Sequence, residues 1–96
     1  APALDSALLA DVSALEKLDN ARLRELGRLA HPMVREAGAS GFRRITWDEA
    51  YARIAKKIRA TDPRRLAFFV TARGVTNEIY YVAQKTARFL GTNNVD

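Results

Sequence analysis

An α/β fold is what this 96-residue sequence predicts: short N-terminal helices, a small hairpin, then helix, strand, loop and helix. Three observations carry the expectation. Residues 47–60 and 77–90 each place apolar side chains at helical spacing. Between them LAFFVT, residues 66–71, is apolar without alternation, the pattern of a strand covered on both faces. A strand followed by a helix is half of a βαβ unit, and the returning strand would begin about Val95-Asp96. The expectation is a segment of a larger α/β protein.

Taken from the N-terminus, residues 4–18 set Leu4, Leu8, Val12 and Leu15 at three- and four-residue spacing, one apolar helical stripe. Asp19 reads as the N-cap of a second short helix through Leu23 and Leu26, ending at Gly27. These helices form a packing arm over residues 1–27, and residues 28–96 form the α/β segment. In HPMVREAGASGFRRIT, Pro32 excludes a helix and Gly38, Ser40 and Gly41 supply a turn, so that residues 33–35 and 42–45 can pair as a hairpin.

Thr46 opens the clearest helix. T-W-D-E has the capping-box form, with Thr46 accepting from the Glu49 amide and Glu49 reaching back to the Thr46 amide. Trp47, Ala50, Tyr51, Ile54, Ala55 and Ile58 then share one face, and Asp62-Pro63 ends the helix. Thr76 caps the last helix, in which Ile79, Val82, Ala83, Thr86, Ala87 and Leu90 share a face that Tyr80 and Phe89 widen. Glu78, Gln84, Lys85 and Arg88 form its polar stripe, and Gly91 is the expected C-cap.

Composition bounds the function. No stretch approaches the ~18 apolar residues of a membrane span, and the N-terminus lacks the basic start of a secretory signal, so the expected location is the cytoplasm. With no cysteine, disulfides and thiolate metal sites are excluded within these residues. Residues 1–27 carry three basic and five acidic side chains, net −2, against thirteen and six over 28–96, net +7. Arginine outnumbers lysine twelve to four, which suits bidentate contacts with carboxylates and phosphates. The charge is dispersed, as on the solvated faces of amphipathic helices.

The stretch VTARGVTNEIYY, residues 70–81, admits two readings. Ligands of open α/β sheets bind beyond the carboxyl ends of strands, where residues 71–76 would lie. Gly74 permits close backbone approach, Arg73 adds a charge, and amides after Thr76 make a positive helix N-terminus. Against this, neither G-x-G-x-x-G nor G-x-x-x-x-G-K-[ST] is present, and a structural turn accounts for the same residues. His31 has no partner at metal-ligand spacing, and Asp48 and Glu49 are explained by the helix start. Thr92-Asn93-Asn94 is a turn by composition whose side chains could also face a polar ligand.

GRLAHPMVR, GFRRITWDEAYARIAKKIRA and FFVTARGVTNEIYYVAQKTARFLGTNNVD, in that order, resemble molybdopterin oxidoreductases of the formate-dehydrogenase-like type. The narrower likeness is to their alpha (molybdopterin) subunits. In that family G-R-L-x-x-P-x-x-R leads to an I-[ST]-W-D-E-A helix, a strand, an Arg-Gly/Asn-Glu loop and a helix ending in G-T-N-N. The likeness covers about residues 27–96, and the arm resembles only the narrower branch.

The resemblance implies a Rossmann-like parent domain in a large oxidoreductase. The parent would bind bis(molybdopterin guanine dinucleotide) with molybdenum or tungsten, and a 4Fe-4S cluster whose cysteines lie upstream. It matches Arg73, Gly74 and Asn77 to the loop near the pterin dinucleotide, and Thr92, Asn93 and Asn94 to the approach to the metal. Val75 stands where relatives often have a small or hydroxyl residue. Implied partners are the rest of the parent polypeptide and an electron-transfer subunit, with neither nucleic acid nor membrane. The isolated 96 residues are expected to be inactive and to hold no cofactor or metal. Two alternatives stand beside this: a basic nucleic-acid-binding module with Arg64, Arg65 and Arg73 on phosphates, and an interaction fragment docking through apolar helix faces.

Overall fold

The computed structural model describes residues 1–96 and divides into two compact units, Ala1–Arg53 and Ile54–Asp96. It mixes helices with a small two-stranded sheet. No helix is long and apolar enough to cross a membrane.

In the first unit the single helix expected over 4–18 is instead two 3-10 turns, Ser6–Leu9 and Val12–Lys17. The reason lies in two aspartates. The carboxylates of Asp5 and Asp11 accept from the amides of Ala7 and Ser13, two residues on, and so tie the backbone into local turns that compete with a continuous helix. Helix α1, Asn20–Glu25, begins as expected at Asp19, whose carboxylate accepts from the Arg22 amide. Gly27 follows at φ +110°, where a Cβ would meet the Pro2 carbonyl.

The arm does not stand apart at residue 27. Ala3 bridges Arg28 in parallel fashion, the Val12 amide donates to Ser40 and the Phe42 amide to Leu9. Gly41 lies so close to the Ala10 carbonyl that no side chain fits there. The hairpin is shorter than expected: β1, Met33–Val34, pairs antiparallel with β2, Arg43–Arg44, in the register Met33 to Arg44.

Helix α2, Trp47–Arg59, starts with half of the expected capping box. The Glu49 amide donates to Thr46 Oγ1 at 3.1 Å, but the Glu49 carboxylate turns to Arg43 and Arg53, both at 3.2 Å. Two guanidinium groups offer it stronger, charge-assisted bonds than one backbone amide does.

In the second unit Asp62 caps the 3-10 turn Pro63–Arg65 and chelates the Arg64 side chain. Residues 66–71 are extended but form no continuous strand. Phe68 bridges Val95 in parallel, with Phe68 N–H to Asn94 O at 2.7 Å, Val70 N–H to Asp96 O at 2.6 Å and Asp96 N–H to Phe68 O at 2.9 Å. The returning partner expected near residues 95–96 is therefore present, and helix α3, Asn77–Leu90, is the crossover. Burial on both faces is not observed: Leu66, Phe68 and Val70 are half-buried, while Ala67 and Phe69 are exposed, Phe69 by 79%. Nothing in the unit covers that second face.

Gly91 ends α3 in the left-handed conformation, φ +95°, and the Thr92 amide returns to the Ala87 carbonyl as a Schellman-type cap. The apolar core is small. Ile45 and Ala87 are the buried apolar residues, and Thr92 is the buried polar one. Trp47 and Tyr51, their rings tilted by 30° with centroids 5.7 Å apart, remain 61% and 62% exposed. On α3 the sector of Ala83, Ala87 and Leu90 packs inward, whereas Ile79, Val82 and Phe89 face out. A helix apolar over so wide an arc is built for cover on two sides.

Candidate functional site

The loop between the extended segment and α3 is shaped by local bonds. Thr71 Oγ1 donates to the Arg73 carbonyl at 3.0 Å, closing a bend, and Gly74 completes it at φ +78°. A Cβ at Gly74 would meet nothing within 4 Å, so the glycine serves the backbone angle and its outer side is open. Arg73 is exposed and has no ion-pair partner. At the start of α3 the Ile79 amide donates to Thr76 Oγ1 at 3.3 Å.

Glu78 changes the electrostatics expected of this helix start. The nearby backbone amide of Glu78 itself and the Thr76 hydroxyl hold its carboxyl below the usual glutamate range. Of the first amides of the helix, that of Ile79 is engaged by the Thr76 side chain, and that of Asn77 remains open. An anion at this end would rely on Arg73 more than on the helix dipole.

The Thr-Asn-Asn turn splits into two roles. Thr92 is buried; its hydroxyl donates to the Leu66 carbonyl at 2.9 Å and accepts from the Asn94 amide at 3.1 Å. The Asn94 carboxamide donates to the carbonyls of Arg64 and Leu66, at 3.3 and 3.1 Å. Both side chains therefore lock the turn to the segment before Phe68. Asn93, between them, is exposed, and its side chain makes no hydrogen bond.

Asn93 lines a cavity of about 260 Å³ with Gln84, Arg88 and Val95. Sequence reading placed Gln84 and Arg88 only on a solvated stripe. The available signal was their i, i+4 spacing just before a left-handed glycine, which turns the chain back toward the helix's last turn.

In the first unit two carboxylates and two guanidinium groups form one network. Glu36 accepts from Arg53 at 2.8 Å and from Arg43 at 3.3 Å, and Glu49 bonds the same two arginines. Arg53, then Arg43, holds the Glu36 carboxyl below its ordinary value. These carboxylates are spent on structure, so none is poised as a general acid or base. His31 borders an open cavity of about 530 Å³ with Arg44 and Trp47. No three His, Cys, Asp or Glu residues converge as metal ligands.

The family model for molybdopterin oxidoreductase matches residues 28–96, which include all six residues from Arg73 to Asn94 named above. An uncharacterized oxidoreductase of Mycobacterium tuberculosis is 41% identical over 73 residues, 76% of this chain and 9% of the relative. The F420-dependent formate dehydrogenase 2 subunit alpha of Methanococcus maripaludis is 49% identical over 70 residues, 72% of this chain and 10% of the relative. Formate dehydrogenase H of Escherichia coli is 38% identical over 74 residues, again 72% of this chain and 10% of the relative. The chain thus spans about a tenth of the length of the curated relatives it matches. No solved structure matches it significantly.

Proposed function

The chain belongs to the molybdopterin oxidoreductase family, and from that premise we propose that it forms one wall of the cofactor site in a formate-dehydrogenase-like enzyme. The observation that carries this reading is the open loop of residues 71–77 beyond the carboxyl end of the Phe68 segment, in a strand–helix–strand unit. The residues present fit a pterin dinucleotide. Arg73 offers an unpaired guanidinium, Gly74 an approachable backbone, and Asn77 an open amide and a carboxamide. At the opposite end of α3, about 21 Å of helix from that loop, Asn93 offers a second carboxamide to another part of the extended cofactor, held in place by Thr92 and Asn94, which act as positioning residues.

When bound, the cofactor, bis(molybdopterin guanine dinucleotide) with molybdenum or tungsten, supplies two-electron redox chemistry. This chain's part is to hold and orient it. The guanidinium of Arg73 neutralises phosphate charge, and the carboxamides donate to and accept from polar ring edges. We assign the iron–sulfur cluster, the electron-transfer partner and a cytoplasmic setting to the parent enzyme. The apolar faces around Trp47 and Phe89 then dock on the remainder of that polypeptide.

The test uses the full-length enzyme that contains this segment. Arg73→Ala and Asn93→Ala should each lower bound pterin, measured as the fluorescent oxidised pterin released on denaturation. Wild-type pterin content in both variants would overturn the assignment. Formate oxidation by the 96 residues alone would overturn the scaffold role.

A further inference from the structure

We infer that the open backbone edge of residues 67–71 takes a further parallel strand from the remainder of the parent polypeptide, which makes this segment an interior strand. In an extended chain, successive residues send their N–H and C=O groups to opposite edges. The even-numbered residues face the segment after α3: the Phe68 and Val70 amides donate to the Asn94 and Asp96 carbonyls, and the Phe68 carbonyl accepts from the Asp96 amide. The odd-numbered residues face the other way. There the amides and carbonyls of Ala67 and Phe69, and the amide of Thr71, have no hydrogen-bond partner.

A strand edge that meets water is commonly blunted by charge or proline. Leu66–Thr71 carries neither. Its side chains agree with an interior place: Leu66, Phe68 and Val70 are half-buried in their own unit, whereas Ala67 and Phe69 are apolar and exposed. A run apolar at every position suits a strand covered on both faces in a parallel sheet. The bridge already present, Phe68 to Val95, is parallel, and sheets of one sense are favoured over mixed ones, so the added strand runs parallel too.

The occupant is a strand of the same polypeptide and not a second copy. Two identical edges related by a two-fold axis pair antiparallel, against the sense set by Phe68 and Val95. A parallel neighbour instead needs a crossover of about a dozen residues or more. The curated relatives, of which this chain spans about a tenth, have ample chain for one. Such a strand would satisfy the Ala67, Phe69 and Thr71 backbone and bring an apolar side chain beside Phe69. Backbone pairing at this edge goes beyond the cofactor-wall role and does not depend on it: pterin content is blind to the one, and exchange at Phe69 to the other.

Two measurements on the full-length enzyme that contains this segment test the pairing. Residue-resolved hydrogen exchange should find the Phe69 and Thr71 amides protected to within about tenfold of those of Phe68 and Val70. Exchange at Phe69 as fast as at the exposed Gly74, with Phe68 still protected, would overturn the proposal. Photoreactive p-benzoylphenylalanine in place of Phe69 then identifies the neighbour on irradiation. The expected product is a cross-link within one polypeptide, to an apolar stretch outside these 96 residues. A cross-link between two polypeptides, or to a stretch rich in charged residues, would overturn it equally. If the substituted enzyme fails to fold, exchange in the unmodified enzyme still decides.

Discussion

The two units solve the same problem with different bonds. Ala1–Arg53 is tied by chain crossings and by charge: an arm threaded against Arg28, Ser40 and Phe42, and a four-membered network of Glu36, Glu49, Arg43 and Arg53. Ile54–Asp96 is closed mainly by uncharged bonds, a parallel bridge at Phe68 and Val95 and the side chains of Thr92 and Asn94 on backbone carbonyls. The first unit's ion pairs join Arg43 and Arg53 in one network across β2 and α2, whereas the second unit's single pair is the local Asp62–Arg64 contact, and Arg73, Lys85 and Arg88 have no ion-pair partner.

That contrast can be broken most sharply at Gly41. Alanine there would drive a methyl into the Ala10 carbonyl, so the arm must separate from the hairpin. Gly41→Ala should cost about 3 kcal/mol, read as faster hydrogen exchange at Phe42 and Val12, while exchange at Phe68 and Asp96 stays unchanged. Equal acceleration in both sets would show that the units do not respond separately.

Next in size is Thr92→Val, which keeps the shape and removes the hydroxyl. The part-buried Asn94 amide loses its acceptor and the Leu66 carbonyl its donor, and about 2 kcal/mol should follow. Exchange should quicken at Phe68 and Asp96, and the Asn93 signal should broaden as the turn loosens. A silent Thr92→Val would mean that the turn is held by Asn94 alone.

A smaller loss is expected at Gly91→Ala. The residue sits at φ +95°, and its new Cβ would lie 3.3 Å from that of Pro63. About 1 kcal/mol should be lost, measured as a lowered thermal midpoint with the exchange pattern of Thr92→Val.

The smallest effect concerns pH and the first unit's network. The Glu36 carboxyl is held below its ordinary value of 4.5 by Arg53 and Arg43. A depressed folded value means that the pairing contributes above the unfolded value and is lost as pH falls through the folded one. Both groups are exposed, so the contribution is modest. Glu36→Gln should flatten the acid-side loss of stability in the first unit and leave the second unit's profile, shaped by Asp62 and Glu78, unaltered. An NMR titration placing Glu36 at or above 4.5 would contradict the network.

Local signals were legible where a few neighbouring residues decide the outcome. Asp19, Thr46 and Thr76 cap the helices they were expected to cap, and Gly91 ends α3 as a left-handed residue. The errors arose where two local options compete. Asp5 and Asp11 chose tight turns over a helix, and Glu49 chose two arginines over the Thr46 amide. The candidate site was half legible. Arg73, Gly74 and Asn77 lie together in one loop as neighbours in sequence must. That Thr92 and Asn94 point inward while Asn93 points out does not follow from three adjacent polar residues.

What the sequence by itself determined, then, are the segments and their ends, because capping, turn geometry and apolar periodicity act over about one helical turn. Its motif order also carried the family, since three such stretches in sequence are specific together. Only the tertiary structure decided that Phe68 meets Val95, that Phe69 and Phe89 stay uncovered, and that Gln84, Arg88 and Asn93 share a cavity. Each of those depends on which distant segment supplies a partner, and no local pattern records that choice.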